Sequence, residues 1–179
     1  MEHADTYYDF VKSRVKWLPS LQEDLIHATI GIVGELIELR AANTRENILE
    51  ELGDIEFYCV HYELAWARFG ATLRQDPIMP QDLFALNLTW ALDECLHTAG
   101  NLLDGAKKLW VYNKSRDQLF DAAERLYKSL RSFLFQIHAL LAISEGTLRA
   151  NNEAKLRLRY PVGYTDAAAQ ARADKAPGE

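Results

Sequence analysis

The sequence predicts an all-α fold, a helical bundle of two long helical hairpins preceded by a short N-terminal helix. Three observations point there. Almost every long segment repeats its apolar residues with helical period. Nine Gly and five Pro among 179 residues leave little room for a turn-rich β architecture. The balance of 49% apolar and 26% charged residues is that of an ordinary globular domain. A chain of this length buries roughly two thirds of its unfolded surface, so it needs no disulfide staples.

The first helix is expected over residues 5–17, closed before Pro19, because a proline disfavours helical backbone at the residue before it. The second runs from 21 to about 42. Leu25, Ile30, Ile32, Val33, Leu36, Ile37 and Leu39 give it an apolar stripe wide enough to be buried on most sides. Asn43 followed by Glu46 has capping-box spacing and opens a third helix. Gly70 is its expected stop. Pro77 and Pro80 mark a loop, and the fourth helix is expected over 81–111. Ser115 with Gln118 repeats the capping spacing and opens a last long helix to about 145. Residues 1–164 then form one domain. The tail, 165–179, carries too little apolar surface to pack firmly and is expected to fray. Residues 27–39 and 97–109 resemble each other faintly, so the two hairpins look alike in length while their charges invert.

The net charge of −6 argues against general nucleic-acid binding. No run approaches 18 uninterrupted apolar residues, so no membrane helix is expected. The segment M-E-H-A-D-T-Y-Y-D-F has neither the basic nor the apolar region of a signal peptide. Cys59 and Cys95 are isolated, which suits a reducing cytoplasm. Charge is unevenly placed: residues 35–56 hold seven acids and two bases, residues 105–131 seven bases and three acids. Such a chain has the means to build one acidic and one basic wall.

Four carboxylates stand out. Glu35 and Glu38 lie on the second helix, Glu51 and Asp54 on the third, each pair spaced i, i+3 and therefore on one face, about 5–6 Å apart at Cβ. The turn between the helices is short, so they lie antiparallel and all four acids meet at one level. Converging like charges repel unless a cation neutralises them. Carboxylate oxygens without Cys or His suit Mg²⁺, with Mn²⁺ as a substitute, rather than zinc. Glu50 flanks the group. Gly31 and Gly34 share the face of Glu38, and each costs on the order of 1 kcal/mol relative to Ala in a helix. Glycine there permits close approach of a helix or ligand.

Spacing excludes other carboxylate and phosphate chemistries. The run R-E-N-I-L-E-E-L-G is one residue too long for a Nudix box. Only Glu94 with His97 forms an E-x-x-H pair, whereas a di-iron bundle needs two. No His-Asp pair and no P-loop are present.

The pattern E-x-x-E, short spacer, E-x-x-D, carried by G-I-V-G-E-L-I-E-L and E-E-L-G-D-I-E-F-Y, resembles the MazG-like family of all-α nucleoside triphosphate pyrophosphohydrolases. A second matching element is N-N-E-A-K-L-R-L-R-Y-P-V-G-Y, residues 151–164. The second hairpin departs from the pattern by carrying no acidic motif. The resemblance implies metal-dependent cleavage of a nucleoside triphosphate to the monophosphate and pyrophosphate, with Glu35, Glu38, Glu51 and Asp54 as ligands. Glu50 is a further ligand or the base. It also implies a homo-oligomer, dimer or tetramer, acting in a cytoplasm. The compact form looks like phage-encoded members, including the MazZ type, which points to a purine substrate such as dGTP or dATP. Lys155 and Arg159, i, i+4 apart, match the family's basic pair, and an Arg fork suits phosphate. Asn152 shares their face. Lys108, with Lys107, Lys114 and Arg125, is a further source of positive charge. Trp17 and Tyr58 are candidates for stacking on the base, with Trp110 as an alternative, while His27 reads as a packed histidine. Two other readings remain open: a non-catalytic nucleotide- or metal-binding interaction module, and a phosphoribosyl-ATP pyrophosphohydrolase. Retention of all four acids favours an enzyme over the module.

Overall fold

The computed structural model describes residues 3–73 and 87–174, and these residues form seven helices with no strand. They are α1 (His3–Arg14), α2 (Leu21–Ala41), α3 (Arg45–Arg68), α4 (Leu88–Val111), α5 (Arg116–Leu141), α6 (Glu145–Arg159) and α7 (Asp166–Ala171). The all-α expectation holds. The expected Pro77–Pro80 loop and the start of the fourth helix at residue 81 lie outside the described residues. Among the described residues, no helix is long and apolar enough to cross a membrane.

Helix starts follow side-chain chemistry. Ser20 and Glu23 form a reciprocal capping box at α2, each accepting the other's backbone N–H. Thr44, not Asn43, caps α3 by accepting from Asn47 at 3.1 Å. Ser115 stands at the start of α5 without a side-chain cap bond. The single helix expected to 145 is two: Ala142 turns left-handed at φ 52°, and Ser144 caps a new helix by accepting from Thr147. At α3, Gly70 takes φ +81° as the chain leaves the helix.

Helices α2 to α5 make a four-helix core in which neighbours run antiparallel. Arg40 at the end of α2 pairs with Asp93 at the start of α4. Trp66–Phe120, Tyr62–Tyr127 and Glu56–Arg131 match falling numbers on α3 to rising ones on α5. Leu25, Ile32, Leu36, Ile55, Leu102 and Leu134 are fully enclosed between these helices. A second apolar cluster lies on the other side of α3, where Tyr7, Val11, Val60, Leu156 and Tyr160 pack α1 and α6 against it. Ala168 and Ala169 of α7 join that cluster, and Asp174 pairs with Arg159. Of the tail expected to fray, residues 165–174 are described and rest against this cluster through Ala168, Ala169 and the Asp174–Arg159 pair, while 175–179 lie outside the described residues.

Between the two clusters sits an ionic knot. Glu56 of α3 is 1% exposed and is gripped by Arg131 of α5 and Arg149 of α6. Glu145 bonds to both arginines. Burial pushes the Glu56 carboxyl up, but the charges and hydrogen bonds of Arg131 and Arg149 outweigh it and hold it at about 2. Breaking a buried pair from one side strands the remaining charges. Glu56→Ala is therefore expected to cost roughly 3–5 kcal/mol of stability, read from urea denaturation midpoints; a loss within 1 kcal/mol would remove this knot from the account of the fold.

Candidate metal and phosphate site

Of the four acids expected to meet on α2 and α3, three come together. Glu35, Glu38 and Glu51 each offer a carboxylate oxygen within 4.8 Å of the others. Glu38 is exposed while Glu35 and Glu51 are half-buried, so the cluster opens to solvent on one side. On α2, a Cβ at Gly31 would fall inside the ring of Tyr58, which shows why that position is glycine. Gly34 faces open space.

Asp54 lies alongside this trio but is engaged from α6. Asn152 donates its Nδ2 to Asp54 Oδ1 at 2.6 Å, and Lys155 donates to Oδ2. Lys155 also reaches Glu50 at 3.3 Å. The approach of α6 depends on Gly53, where a Cβ would stand 3.1 Å from Asn152 Cβ and 3.4 Å from the Leu148 carbonyl oxygen.

The electrostatics follow from this crowding. Burial, then the charges of Asp54, Glu51 and Glu38 together with a hydrogen bond to Glu51, push the Glu35 carboxyl up to about 8. Burial also raises Glu51, as do Asp54, Glu38 and Glu50. Burial raises Asp54 despite Lys155 beside it. Crowding by like charges thus favours the protonated form of Glu35. The donors are hard oxygens that lack positive charge, and they fit Mg²⁺ or Mn²⁺.

The remaining candidates divide. Arg159 acts electrostatically on both Asp54 and Tyr58, and it is held bidentately by Asp174. Asn152, expected to face a ligand, is 3% exposed and turned onto Asp54. Lys108 is not at the site. It pairs with Asp104 on its own helix, as does Lys107. Its helix starts beside the end of α2, which puts Lys108 roughly 20 Å along the axis from that end. A local i, i+4 partner answers its charge. Trp17 lies further down α2 and α3, its indole N–H on the Lys12 carbonyl at 3.1 Å and the Arg68 guanidinium 5.2 Å over its ring. Edge-on ring contacts lead from Tyr58 through His27 and His61 to Trp17. A cavity of about 380 Å³ opens beside this chain, lined by Lys16, Leu18, Glu23, Ile26, His27 and Trp110. Burial pushes the His27 imidazole down, so it is neutral at pH 7.

The residue that sequence reasoning missed is Tyr7, whose hydroxyl donates to Asn152 Oδ1 at 3.0 Å. Its helical spacing on α1 reads only as an apolar face. No family model, curated protein or solved structure matches the chain.

Because the folded Glu35 binds its proton more tightly than the unfolded carboxyl, the folded state holds the extra proton between about pH 4.5 and 8. This contribution is full below the unfolded value and is lost as pH rises through the folded one. The melting temperature of the metal-free protein is expected to fall over that window, and Glu35→Gln to flatten the fall. A pH-independent melting temperature in the unsubstituted protein would refute the like-charge crowding.

Proposed function

We propose that this chain is a metal-dependent nucleoside triphosphate pyrophosphohydrolase of the MazG-like kind. The observation that carries the reading is the convergence of Glu35, Glu38 and Glu51 within 4.8 Å, with Asp54 and a lysine from a distant helix beside them. Acids alone would suit many cation sites; acids with an adjacent cation suit a ligand that brings both phosphate and metal. A bound Mg²⁺ or Mn²⁺ would supply Lewis-acid stabilisation of the charge that builds on the phosphates.

The chain's own groups supply the rest. Glu35, Glu38, Glu51 and Asp54 would hold the cation. Glu50, half-buried beside Lys155, would be a further ligand or would take a proton from water as it attacks the α-phosphorus and the α–β bridge breaks. Lys155 then compensates the charge of the departing pyrophosphate. Arg159 exchanges Asp174 for a phosphate oxygen pair, since a guanidinium fork fits either partner. The ring chain from Tyr58 towards Trp17 and the cavity beside His27 lie along the same helix pair, a direction suited to the base.

The test is pyrophosphate release from a panel of ribo- and deoxyribonucleoside triphosphates, with phosphoribosyl-ATP included, under Mg²⁺ or Mn²⁺. Glu38→Gln and Asp54→Asn are each expected to lower turnover by on the order of 10²-fold or more. Purines, dGTP and dATP first, are expected to lead the panel. Metal-dependent nucleotide binding without pyrophosphate release would favour the non-catalytic binding module instead.

A homo-oligomer belongs to this reading. Ile30 and Ile37, seven residues apart on α2 and each 56% exposed, leave an apolar strip next to Glu38. Sedimentation is expected to give a dimer or larger at micromolar concentration, and a fully active monomer would contradict it.

A further inference from the structure

We propose that Tyr7 on α1 is a positioning residue for the carboxylate site, fixing the Asn152 side chain so that its amide donates to Asp54. The inference rests on reading Asp54 as a metal ligand. A carboxamide has two ends of opposite hydrogen-bonding sense. The Tyr7 hydroxyl donates to Asn152 Oδ1 at 3.0 Å, and Asn152 Nδ2 donates to Asp54 Oδ1 at 2.6 Å. Turning the amide over would press its oxygen against a carboxylate. Tyr7 and Asn152 are each 3% exposed, so water does not replace either partner cheaply.

The phenol stays protonated and able to donate. Burial first, then the charge of Glu56, keeps its ionisation far above neutral pH. Lys155 takes the other Asp54 oxygen. Each oxygen therefore receives one donor from α6, which sets the tilt of the carboxylate and leaves further lone pairs for a cation. Gly53 lets the Asn152 stem come this close. Partners that hold a ligand's orientation from behind tune the affinity of the site without touching the metal.

The ring of Tyr7 has supports of its own. It stacks near Phe10 at 6.1 Å, and the Arg149 guanidinium lies 5.3 Å over it. Tyr7→Phe thus removes the hydroxyl and leaves the packing. Asn152→Leu removes the amide at similar volume. Val11→Ala trims a fully buried α1 side chain without touching the hydroxyl, and serves as the control for a loosened helix.

Two readouts separate positioning from stability, both on the full chain without nucleotide. The first is Mn²⁺ affinity from the paramagnetic resonance of free Mn²⁺. The second is the exchange rate of the Asn152 side-chain amide protons by NMR. Tyr7→Phe is expected to weaken Mn²⁺ binding about 10-fold and Asn152→Leu up to about 100-fold. Val11→Ala should lower the melting temperature yet bind Mn²⁺ as the unsubstituted protein does. The Asn152 amide should exchange slowly in the unsubstituted protein and faster in Tyr7→Phe. Equal Mn²⁺ affinity in Tyr7→Phe, or an equal loss in Val11→Ala, overturns the proposal. If the unsubstituted protein binds no Mn²⁺, the metal reading falls. The amide exchange then decides whether Tyr7 holds Asn152: equal rates with and without the hydroxyl overturn that as well.

Discussion

The structure turns on one constraint: α3 must carry charge outside its apolar core face and still be buried. Its core-facing side is apolar, from Leu52 and Ile55 to Trp66. Its other side carries Glu56, enclosed at 1% exposure, and an enclosed carboxylate needs cations that follow it inside. Arg131 comes from α5 and Arg149 from α6. Satisfying one acid therefore docks two helices. Once Arg149 is fixed, the next turns of α6 bring Asn152 and Lys155 level with Asp54 and Glu50. The candidate site inherits its geometry from an ion pair that belongs to the fold.

The trio of Glu35, Glu38 and Glu51 is the opposite case. Among the described residues no arginine is enclosed with it. The uncompensated charge pushes the Glu35 carboxyl up to about 8. The two groups of acids on α3 differ by a few residues and by what α5 and α6 bring to them. Where guanidinium arrives, the acid is held ionised near 2 and becomes structural. Where it does not, the acid stays poised to exchange a proton for a cation. Asp54 stands between these regimes, with one lysine and one amide against the charges of Glu35, Glu50 and Glu51.

Much of this was legible in the sequence, for local reasons. The i, i+3 spacing of Glu35 with Glu38 and Glu51 with Asp54, joined by a short turn, fixes which faces meet, and no distant information is needed. Lys155 was legible by its position in the K-L-R-L-R-Y-P segment. Asn152 was found for the same reason, but its role was not, because nothing local says that a helix will press it against Gly53 and Asp54. Lys108 was misplaced because a count of charges per hairpin does not say at which end of a bundle they fall. The break between α5 and α6 was missed because it rests on a left-handed Ala142, a residue without turn preference. In the sequence Glu56 is one more of the seven acids in residues 35–56, since only tertiary packing sets it apart from Glu51.

The same reasoning bears on why α1 belongs to the site although none of its residues carries an acidic motif. A carboxylate held only by Lys155 would be free to swing, because a lysine is a point charge on a flexible stem. An amide is directional, but only if its other end is also held. The holder must donate, must stay protonated beside Glu56 and must reach a buried oxygen without bringing charge of its own. Among the side chains, a phenol meets these demands better than a serine, which is too short, or a lysine, which adds charge. Tyr7 reaches the site across the groove between α3 and α6, where Val11, Val60 and Leu156 seat its helix. The apolar packing of α1 seats the ring, and it is the hydroxyl, through Asn152, that bears on the orientation of Asp54.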